Sequence, residues 1–323
     1  MIHHQIRLTK IMQIGSYYSN DSSPKIAVII PTHNRWKLAS RAIKSLEADS
    51  YSNKEILLVE DGCTDETRQQ VAIHHPNVKV CHGDGNLWWS GAINLGLINA
   101  LNSTYDLVLW LNDDNYVEKN TIECMVNAHK LFGINSVIAA RTRSVHLEED
   151  EWNGHPPRWH PDYDTWEMTS VEQDYVPLVH PPGGRGVLFS IKCFQELGLI
   201  DQNCFPHYWA DHDFHYRAMN AGYKYYLAAD AVVWNTPNSP GVFEHDKYSM
   251  LWIIRFIFSR RSAMNLFTLR RLLIRHLPPN QYNSIWPQLW RNTILWLFME
   301  WLNRYPFLFN AVKLISRINS TKC

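Results

Sequence analysis

Short apolar runs alternate with longer helical patterns over the first two thirds of the chain. The runs KIAVII, EILLVE, NVKVCH and DLVLWL are rich in Val, Ile and Leu, and each precedes a segment whose apolar residues recur every three or four positions. Strands that alternate with helices in this way predict a mostly parallel sheet with helices on both faces. VLFS and YKYYLAADAVVW predict two later strands. The expected fold class is therefore α/β.

Each of the first four predicted strands ends in a polar cluster, and these clusters are PTHNR, EDG, HGDGN and NDDN in chain order. Any one of them also fits a turn, because Asn, Asp and Gly are common in turns. In an open α/β sheet, however, ligands bind outside the carboxyl ends of the strands. Four polar clusters at that edge are hard to explain as unrelated turns, and together they predict one shared ligand site.

Two adjacent carboxylates, Asp113 and Asp114, lie in the last of these clusters, within VLWLNDDNYV. Their mutual repulsion favours a cation or a ligand hydroxyl beside them. Oxygen ligands suit a hard divalent cation, Mg²⁺ or Mn²⁺, which is commonly shared with phosphate oxygens. We predict that Asp114 is the metal ligand and that Asp113 lies nearer a ribose or assists at the metal.

The other clusters predict a nucleotide site. Thr32 or Asn34 could border a nucleotide or cap the following helix, and Asp61 could accept hydrogen bonds from a base or ribose or simply form a turn. In WWSGAINLG, small residues leave one helix flank open to a ligand or a strand, and Asn94 lies on that flank. The candidate nucleotide contacts are Pro31, Thr32, Asn34, Arg35, Asp61, Asn94 and Asp113.

A further cluster, WADHDFHYR, places Asp211 and Asp213 at the start of a predicted helix. Asp213 and Arg217 have the spacing of a helical ion pair. That pair does not explain Asp211, which is a candidate general base for an acceptor hydroxyl. The glycines around Arg185 in HPPGGRGVLF fit either a wall for the acceptor or a tight bend. The candidate acceptor contacts are Gly184, Arg185, Gly186, Trp209 and Asp213.

Charge divides the chain although its formal net charge is zero. Residues 247–323 carry 12 Lys and Arg against one Glu, a balance of +11, so residues 1–246 carry −11. The basic part is rich in Trp, Phe and Leu, but no apolar stretch reaches the roughly 18 residues of a spanning helix. It predicts helices that lie on an anionic membrane surface, or a helical appendage that packs on protein. Interleaved Trp and Leu suit lipid better than nucleic acid.

The six cysteines include no CxxC pair, which favours a reduced, cytosolic setting. Residues 1–24 lack the continuous apolar core of a signal peptide and are expected to form a loose leader. The predicted divisions are this leader, an α/β domain at 25–246 with halves at about 25–140 and 141–246, and a helical extension at 247–323. The expected location is the cytoplasmic face of a membrane.

In this order, the clusters resemble the motifs of GT-A glycosyltransferases of family 2, from about Lys25 to Trp234. PTHNR is similar to P-T-Y-N-R, EDGCTDET to D-D-G-S-x-D-x-T, LNDDN to the D-x-D metal motif, and ADHDFHYR to E-D-x-D-x-x-x-R. The WW pair resembles the bacterial rhamnosyltransferase-like branch. The resemblance implies a GT-A fold, Asp211 as base and Mg²⁺ or Mn²⁺ on Asp114. It also implies a metal-binding His after the last strand, for which His245 is the nearest candidate.

The implied reaction is an inverting transfer of a hexosyl or deoxyhexosyl group in surface polysaccharide synthesis. The donor would be a nucleotide-diphospho-sugar of UDP or dTDP type, and the acceptor a glycan or a polyprenyl-linked sugar. A catalytically silent carbohydrate-binding or scaffold protein remains an alternative. A sugar-1-phosphate nucleotidyltransferase would need a glycine-rich basic loop after the first strand, and PTHNRWK is not such a loop.

Overall fold

The computed structural model describes residues 23–146, 174–236, 250–260 and 262–303. The chain forms two compact units, Met1–Ser239 and Pro240–Cys323. The division between them lies close to residue 247, where the basic extension is predicted to begin. Residues 1–22 of the predicted leader, and His245, lie outside the described residues.

The first unit contains one mixed sheet flanked by helices. Its strands are β1 (Ile26–Thr32), β2 (Lys54–Asp61), β3 (Lys79–Gly83), β4 (Leu107–Trp110), β5 (Asn115–Val117), β6 (Ser136–Ser144), β7 (Tyr175–Leu178), β8 (Val187–Ser190) and β9 (Lys224–Asn235). Its helices are α1 (Trp36–Ala48), α2 (Thr67–His74), α3 (Trp88–Leu101), α4 (Thr121–Phe132), α5 (Ile191–Leu197) and α6 (Ala210–Asn220).

The strand order is β3-β2-β1-β4-β8-β6-β9-β5, and β7 pairs with β9. The first four strands pair in parallel, whereas β8 runs antiparallel to both β4 and β6. The predicted α/β class is therefore confirmed, and antiparallel strands extend its parallel half. Because β2, β1 and β4 are neighbours, the polar clusters that follow them lie side by side.

The central strand β1 is buried along its whole length, as expected for a parallel strand covered on both faces. Helix α3 comes close to β1 at Gly96, where an added Cβ atom would lie 2.5 Å from the Cγ2 atom of Ile29. The sequence left open whether a ligand or a strand approaches the small flank of α3. At Gly96 the structure shows the close approach of a strand.

The second unit contains α7 (Met250–Ile257), α8 (Leu266–His276) and α9 (Pro279–Asn303). Helix α8 buries four leucines along one face. The second half of α9 exposes large apolar side chains, namely Trp290, Ile294, Leu295, Phe298, Met299 and Trp301. Within the described residues, none of the helices is both long and apolar enough to span a bilayer.

Candidate active site

The acid pair after β4 is held by the loop after β1. The Thr32 hydroxyl donates to Asp113 Oδ2 over 2.8 Å. The Arg35 guanidinium contacts both carboxylates, at 3.0 Å from Asp113 Oδ1 and 3.1 Å from Asp114 Oδ2. Burial raises the pKa of Asp113 to about 7, and the charge of Arg35 opposes this rise. A guanidinium therefore already offsets the repulsion between the two acids.

Asp113 and Asp114 differ in how far they reach the surface. The Asp113 side chain is 5% exposed and that of Asp114 is 15% exposed. Among the described residues, no group of three or more His, Cys, Asp and Glu side chains could hold a metal ion. Two adjacent carboxylates nevertheless fit Mg²⁺ or Mn²⁺, since such ions often take one or two carboxylates and complete their shell with phosphate oxygens and water.

Asp61 organises the loop between β3 and α3. Its carboxylate accepts hydrogen bonds from the backbone N–H groups of Gly85 at 2.8 Å, Leu87 at 3.0 Å and Trp88 at 3.3 Å. These donors include N–H groups at the start of α3, where a negative charge is stabilising. The structure thus shows a loop-holding role for Asp61, and its contact with a base or ribose stays a prediction.

Asn34 joins the loops that follow β1 and β2. Its backbone has a left-handed φ of 54°, and its Oδ1 atom accepts from the N–H groups of Thr64 at 2.7 Å and Asp65 at 3.1 Å. The expectation that Thr32 or Asn34 caps α1 is wrong, because Asp65 Oδ2 accepts from Trp36 N at 3.2 Å instead. Asn34 therefore holds these two loops together, and its contact with a nucleotide stays a prediction.

Pro31 and His33 belong to the PTHNR cluster at the end of β1. Pro31 lies within β1, where it is buried. His33 was not among the predicted site residues, and its Nδ1 atom lies 2.5 Å from the carbonyl oxygen of Asp61. The imidazole therefore lies among the clusters predicted to bind the nucleotide.

Asn94, a predicted nucleotide contact, has hydrogen-bond partners within the fold. Both hydrogens of its amide are used, since Nδ2 donates to the Ile200 carbonyl and to Gln202 Oε1, each at 2.9 Å. Its Oδ1 atom accepts from Ile200 N at 3.0 Å. Asn94 is buried and connects α3 to the segment that follows α5, and its contact with a nucleotide stays a prediction.

Asp211 lies in the first turn of α6. Its Oδ1 atom accepts from His212 N at 2.8 Å and lies 3.0 Å from His212 Nδ1. Burial alone would raise the pKa of Asp211, but the His212 imidazole and its hydrogen bonds outweigh burial and hold that pKa well below its usual range. The carboxylate is therefore ionised at neutral pH.

The other oxygen of Asp211 faces the glycine turn before β8. An added Cβ atom would lie 3.4 Å from Asp211 Oδ2 at Gly184 and 3.8 Å from it at Gly183. The Gly184 Cβ atom would also lie 2.8 Å from Trp89 Cζ2. Because Trp89 Nε1 donates to Asn112 Oδ1 at 2.9 Å, this indole contacts both the turn beside Asp211 and the loop that carries the acid pair.

His215 fixes the backbone of the glycine turn. Its Nε2 atom lies 2.8 Å from the Gly183 carbonyl oxygen, and its Nδ1 atom lies 3.0 Å from the Tyr225 hydroxyl. Burial lowers the pKa of His215 to about 4, so the neutral ring donates through Nε2 and accepts through Nδ1. No local sequence pattern indicates this contact, which joins residues 32 positions apart.

Two predicted acceptor residues have structural roles. Asp213 is fully buried and pairs with Arg217 at 3.2 Å, while Arg217 also donates to the Leu197 and Leu199 carbonyls. The structure thus shows an ion-pairing role for Asp213, and its contact with an acceptor stays a prediction. Gly186 has a φ of 66°, and an added Cβ atom would lie 2.7 Å from Val233 Cγ2, so this glycine lets the turn pack on β9.

Gly184, Arg185 and Trp209 remain candidates for acceptor contacts. Arg185 is half-buried in the glycine turn. Trp209 precedes α6 with a left-handed φ of 69°, which is unusual for a bulky residue. Gly184 borders Asp211 Oδ2, Arg185 follows it directly, and Trp209 lies two residues before Asp211.

Residues 27–184 match the family model described as "Glycosyl transferase family 2". The uncharacterized glycosyltransferase RT0329 of Rickettsia typhi is 25% identical over 243 residues, 72% of this chain and 72% of that protein. The GalNAc(5)-diNAcBac-PP-undecaprenol beta-1,3-glucosyltransferase of Campylobacter jejuni is 40% identical over 48 residues, 15% of this chain and 16% of that protein. A crystal structure of GalNAc-T7 with UDP, GalNAc and Mn²⁺ has a TM-score of 0.57 at 17% identity, and the match covers 81% of this chain and 52% of that one.

The likeness to GalNAc-T7 is a likeness of fold. The family match extends from β1 to the glycine turn, and it includes the acid pair, Asp61 and Trp89. Residues 27–184 are thus similar to glycosyl transferase family 2, and the fold is that of GT-A glycosyltransferases.

Proposed function

We propose that this protein is an inverting glycosyltransferase. It would move a sugar from a nucleotide-diphospho-sugar of UDP or dTDP type to a glycan or a polyprenyl-linked acceptor. One observation carries the proposal: Trp89 contacts both the loop of the acid pair, through Asn112, and the turn that faces Asp211. A candidate donor site and a candidate base therefore share one wall.

In the proposed reaction, Asp211 takes the proton of the acceptor hydroxyl. The hydroxyl oxygen then forms a bond to the anomeric carbon, and the bond from that carbon to the diphosphate breaks. Attack and departure on opposite faces of the sugar invert its configuration in a single displacement. The ionised state of Asp211 suits this role, because only the carboxylate can accept the proton.

Asp114, with Asp113 beside it, would hold the divalent cation, Mg²⁺ or Mn²⁺. The chemistry that such an ion supplies is to offset the negative charge that develops on the departing nucleoside diphosphate. Arg35 lies against the same carboxylates and can donate hydrogen bonds to diphosphate oxygens. The Mn²⁺ and UDP bound to GalNAc-T7 support this assignment.

A nucleotide screen tests the donor half of the proposal. The melting temperature of the protein would be measured with UDP, dTDP and GDP, with and without Mn²⁺. We expect one nucleotide to stabilise the fold, and to need the cation, by about 2.7 kcal/mol at a hundredfold excess over its Kd. No shift with any nucleotide, in a folded protein, would contradict the proposal and favour a silent scaffold.

We also propose that the second unit binds the cytoplasmic face of an anionic membrane. The exposed half of α9 presents six large apolar side chains. Arg255, Arg260, Arg270, Arg271, Arg275 and Arg291 lie in the same unit. A basic helical unit with an apolar face is typical of binding to an anionic lipid surface. The Campylobacter relative is named for an undecaprenol-linked substrate, which would bring a membrane-bound acceptor to such a protein.

Replacing Ile294 and Phe298 together by Asp is expected to weaken vesicle binding at least about tenfold. Burying each of these side chains contributes roughly 1.5–3 kcal/mol, and the added charges also repel anionic lipid. The measurement is co-sedimentation with phosphatidylglycerol vesicles. The matched control, Asn283→Asp with Gln288→Glu, adds the same charge on the polar first half of α9 and should bind better than the test variant. Equal binding by both variants would contradict the assignment of the apolar face.

A further inference from the structure

We propose that His212 is a positioning residue for Asp211, and this rests on the proposed role of Asp211 as the general base. His212 turns the Asp211 carboxylate so that one oxygen is fixed and the other faces the acceptor.

Asp211 Oδ1 is held by two contacts with His212. This oxygen accepts from the backbone N–H of His212 at 2.8 Å and lies 3.0 Å from His212 Nδ1. Two donors from one residue converge on the same oxygen. The imidazole must carry a hydrogen on Nδ1 to donate, and the adjacent carboxylate favours that state. Rotation of the carboxylate about its terminal torsion would break both contacts.

Asp211 Oδ2, the other carboxylate oxygen, lies beside the glycine turn. With Oδ1 fixed, Oδ2 points to the Gly183–Gly184 turn, where an added Cβ atom at Gly184 would lie 3.4 Å away. The glycines place no side chain in that space, and the Trp89 indole borders it. Oδ2 is therefore the oxygen that an acceptor hydroxyl can approach.

The His212 imidazole packs against the indole of Trp209. The ring of Trp209 packs edge-on against that of His212, with centroids 5.2 Å apart and an interplanar angle of 71°. The His212 side chain is only 13% exposed. Trp209 has a left-handed backbone immediately before α6. The His212 imidazole is therefore held by packing against the Trp209 indole as well as by its contact with Asp211.

A positioning role and a purely structural role of His212 predict different results when this residue is replaced. If His212 only filled space, a residue of similar size would replace it. If it positions Asp211, a hydrogen-bond donor at the place of Nδ1 is required, and the amide of Asn provides one. The comparison is therefore between His212→Phe, which fills the space, and His212→Asn, which restores the donor.

The experiment determines the crystal structures of the His212→Phe and His212→Asn variants and measures their turnover. We expect the Asp211 carboxylate to rotate in His212→Phe and to keep its orientation in His212→Asn. Release of nucleoside diphosphate would be followed with UDP-glucose, UDP-N-acetylglucosamine and dTDP-rhamnose as donors. For any donor that turns over, kcat should fall about 10- to 100-fold in His212→Phe with the donor KM nearly unchanged, and His212→Asn should recover most of it.

An unrotated carboxylate in His212→Phe would overturn the proposal, and so would equal kcat values in the two variants. His74→Phe is the control, because His74 is exposed on α2 and its replacement should alter neither readout. Asp211→Asn separates this proposal from the proposed function. If that variant is inactive while both His212 variants are fully active, only the role of His212 fails. If Asp211→Asn turns over normally, the base assignment itself fails.

Discussion

Replacing Asp211 by Asn is expected to lower kcat by about 10²- to 10⁴-fold, the usual contribution of a general base. An amide has the shape of the carboxylate but cannot take a proton from the acceptor. Its oxygen can still accept from His212 N, so the local structure should persist. The measurement is the rate of nucleoside diphosphate release at saturating donor, together with the melting temperature in the presence of nucleotide and Mn²⁺. The nucleotide-induced shift should stay unchanged.

The matched control is Asp213→Asn, two residues along the same helix. Asp213 is fully buried and pairs with Arg217, so its replacement leaves a partly unpaired guanidinium. Breaking such a pair typically costs about 3–5 kcal/mol of unfolding free energy. We therefore expect Asp213→Asn to lose stability, and Asp211→Asn to lose turnover without comparable loss of stability. Full turnover by Asp211→Asn would exclude Asp211 as the base and would favour the silent scaffold.

Replacing Asp114 by Ala is expected to remove the Mn²⁺-dependent part of nucleotide binding. Asp114 is the more exposed of the two acids, and its loss would leave one buried carboxylate that Arg35 can neutralise alone. Nucleotide affinity should fall by about 100-fold, equivalent to about 2.7 kcal/mol of lost stabilisation. Calorimetric titration of the stabilising nucleotide, with and without Mn²⁺, measures both terms.

Asp106→Ala is the control for this prediction. Asp106 immediately precedes β4 and accepts from Lys25 N at 2.8 Å. Its replacement therefore removes a carboxylate at the opposite end of the strand that precedes the acid pair. It should keep the full Mn²⁺ dependence. If Asp114→Ala also keeps it while Asp113→Asn loses it, the metal ligand is Asp113 and the two acids have exchanged roles.

The parallel half of the sheet could be predicted because each of its strands is buried on both faces. Such strands appear in the sequence as continuous apolar runs, as in IAVIIPT of β1. Strand β6 was not predicted: its first part, SVIAA, is a short apolar run, and its second part, RTRS, is polar although Thr142 and Ser144 are buried. Its pairing with β9 changes register after Ala140, and no local pattern reveals such a shift. Strand β5 has only three residues, too few to show a period.

The position of the candidate site followed from the strand ends, but the roles within it did not. An Asp after a strand has the same sequence signature whether it binds a ligand or backbone N–H groups, so the loop-holding role of Asp61 was not visible. The same ambiguity applies to Asn94, which binds Ile200 more than 100 residues away. The contacts of Trp89 and His215 also depend on distant parts of the chain meeting at one turn, which only the fold specifies.

The guanidinium of Arg35 has a consequence for the order in which ligands enter. It contacts both acids, at 3.0 Å and 3.1 Å, so a divalent cation that arrives alone meets a fixed positive charge and must share the carboxylates with it. A diphosphate that arrives with the cation gives the guanidinium anionic oxygens of its own. Each ligand would thus lower the electrostatic cost of binding the other. Donor and cation would then bind with positive cooperativity, each raising the affinity for the other by the same factor.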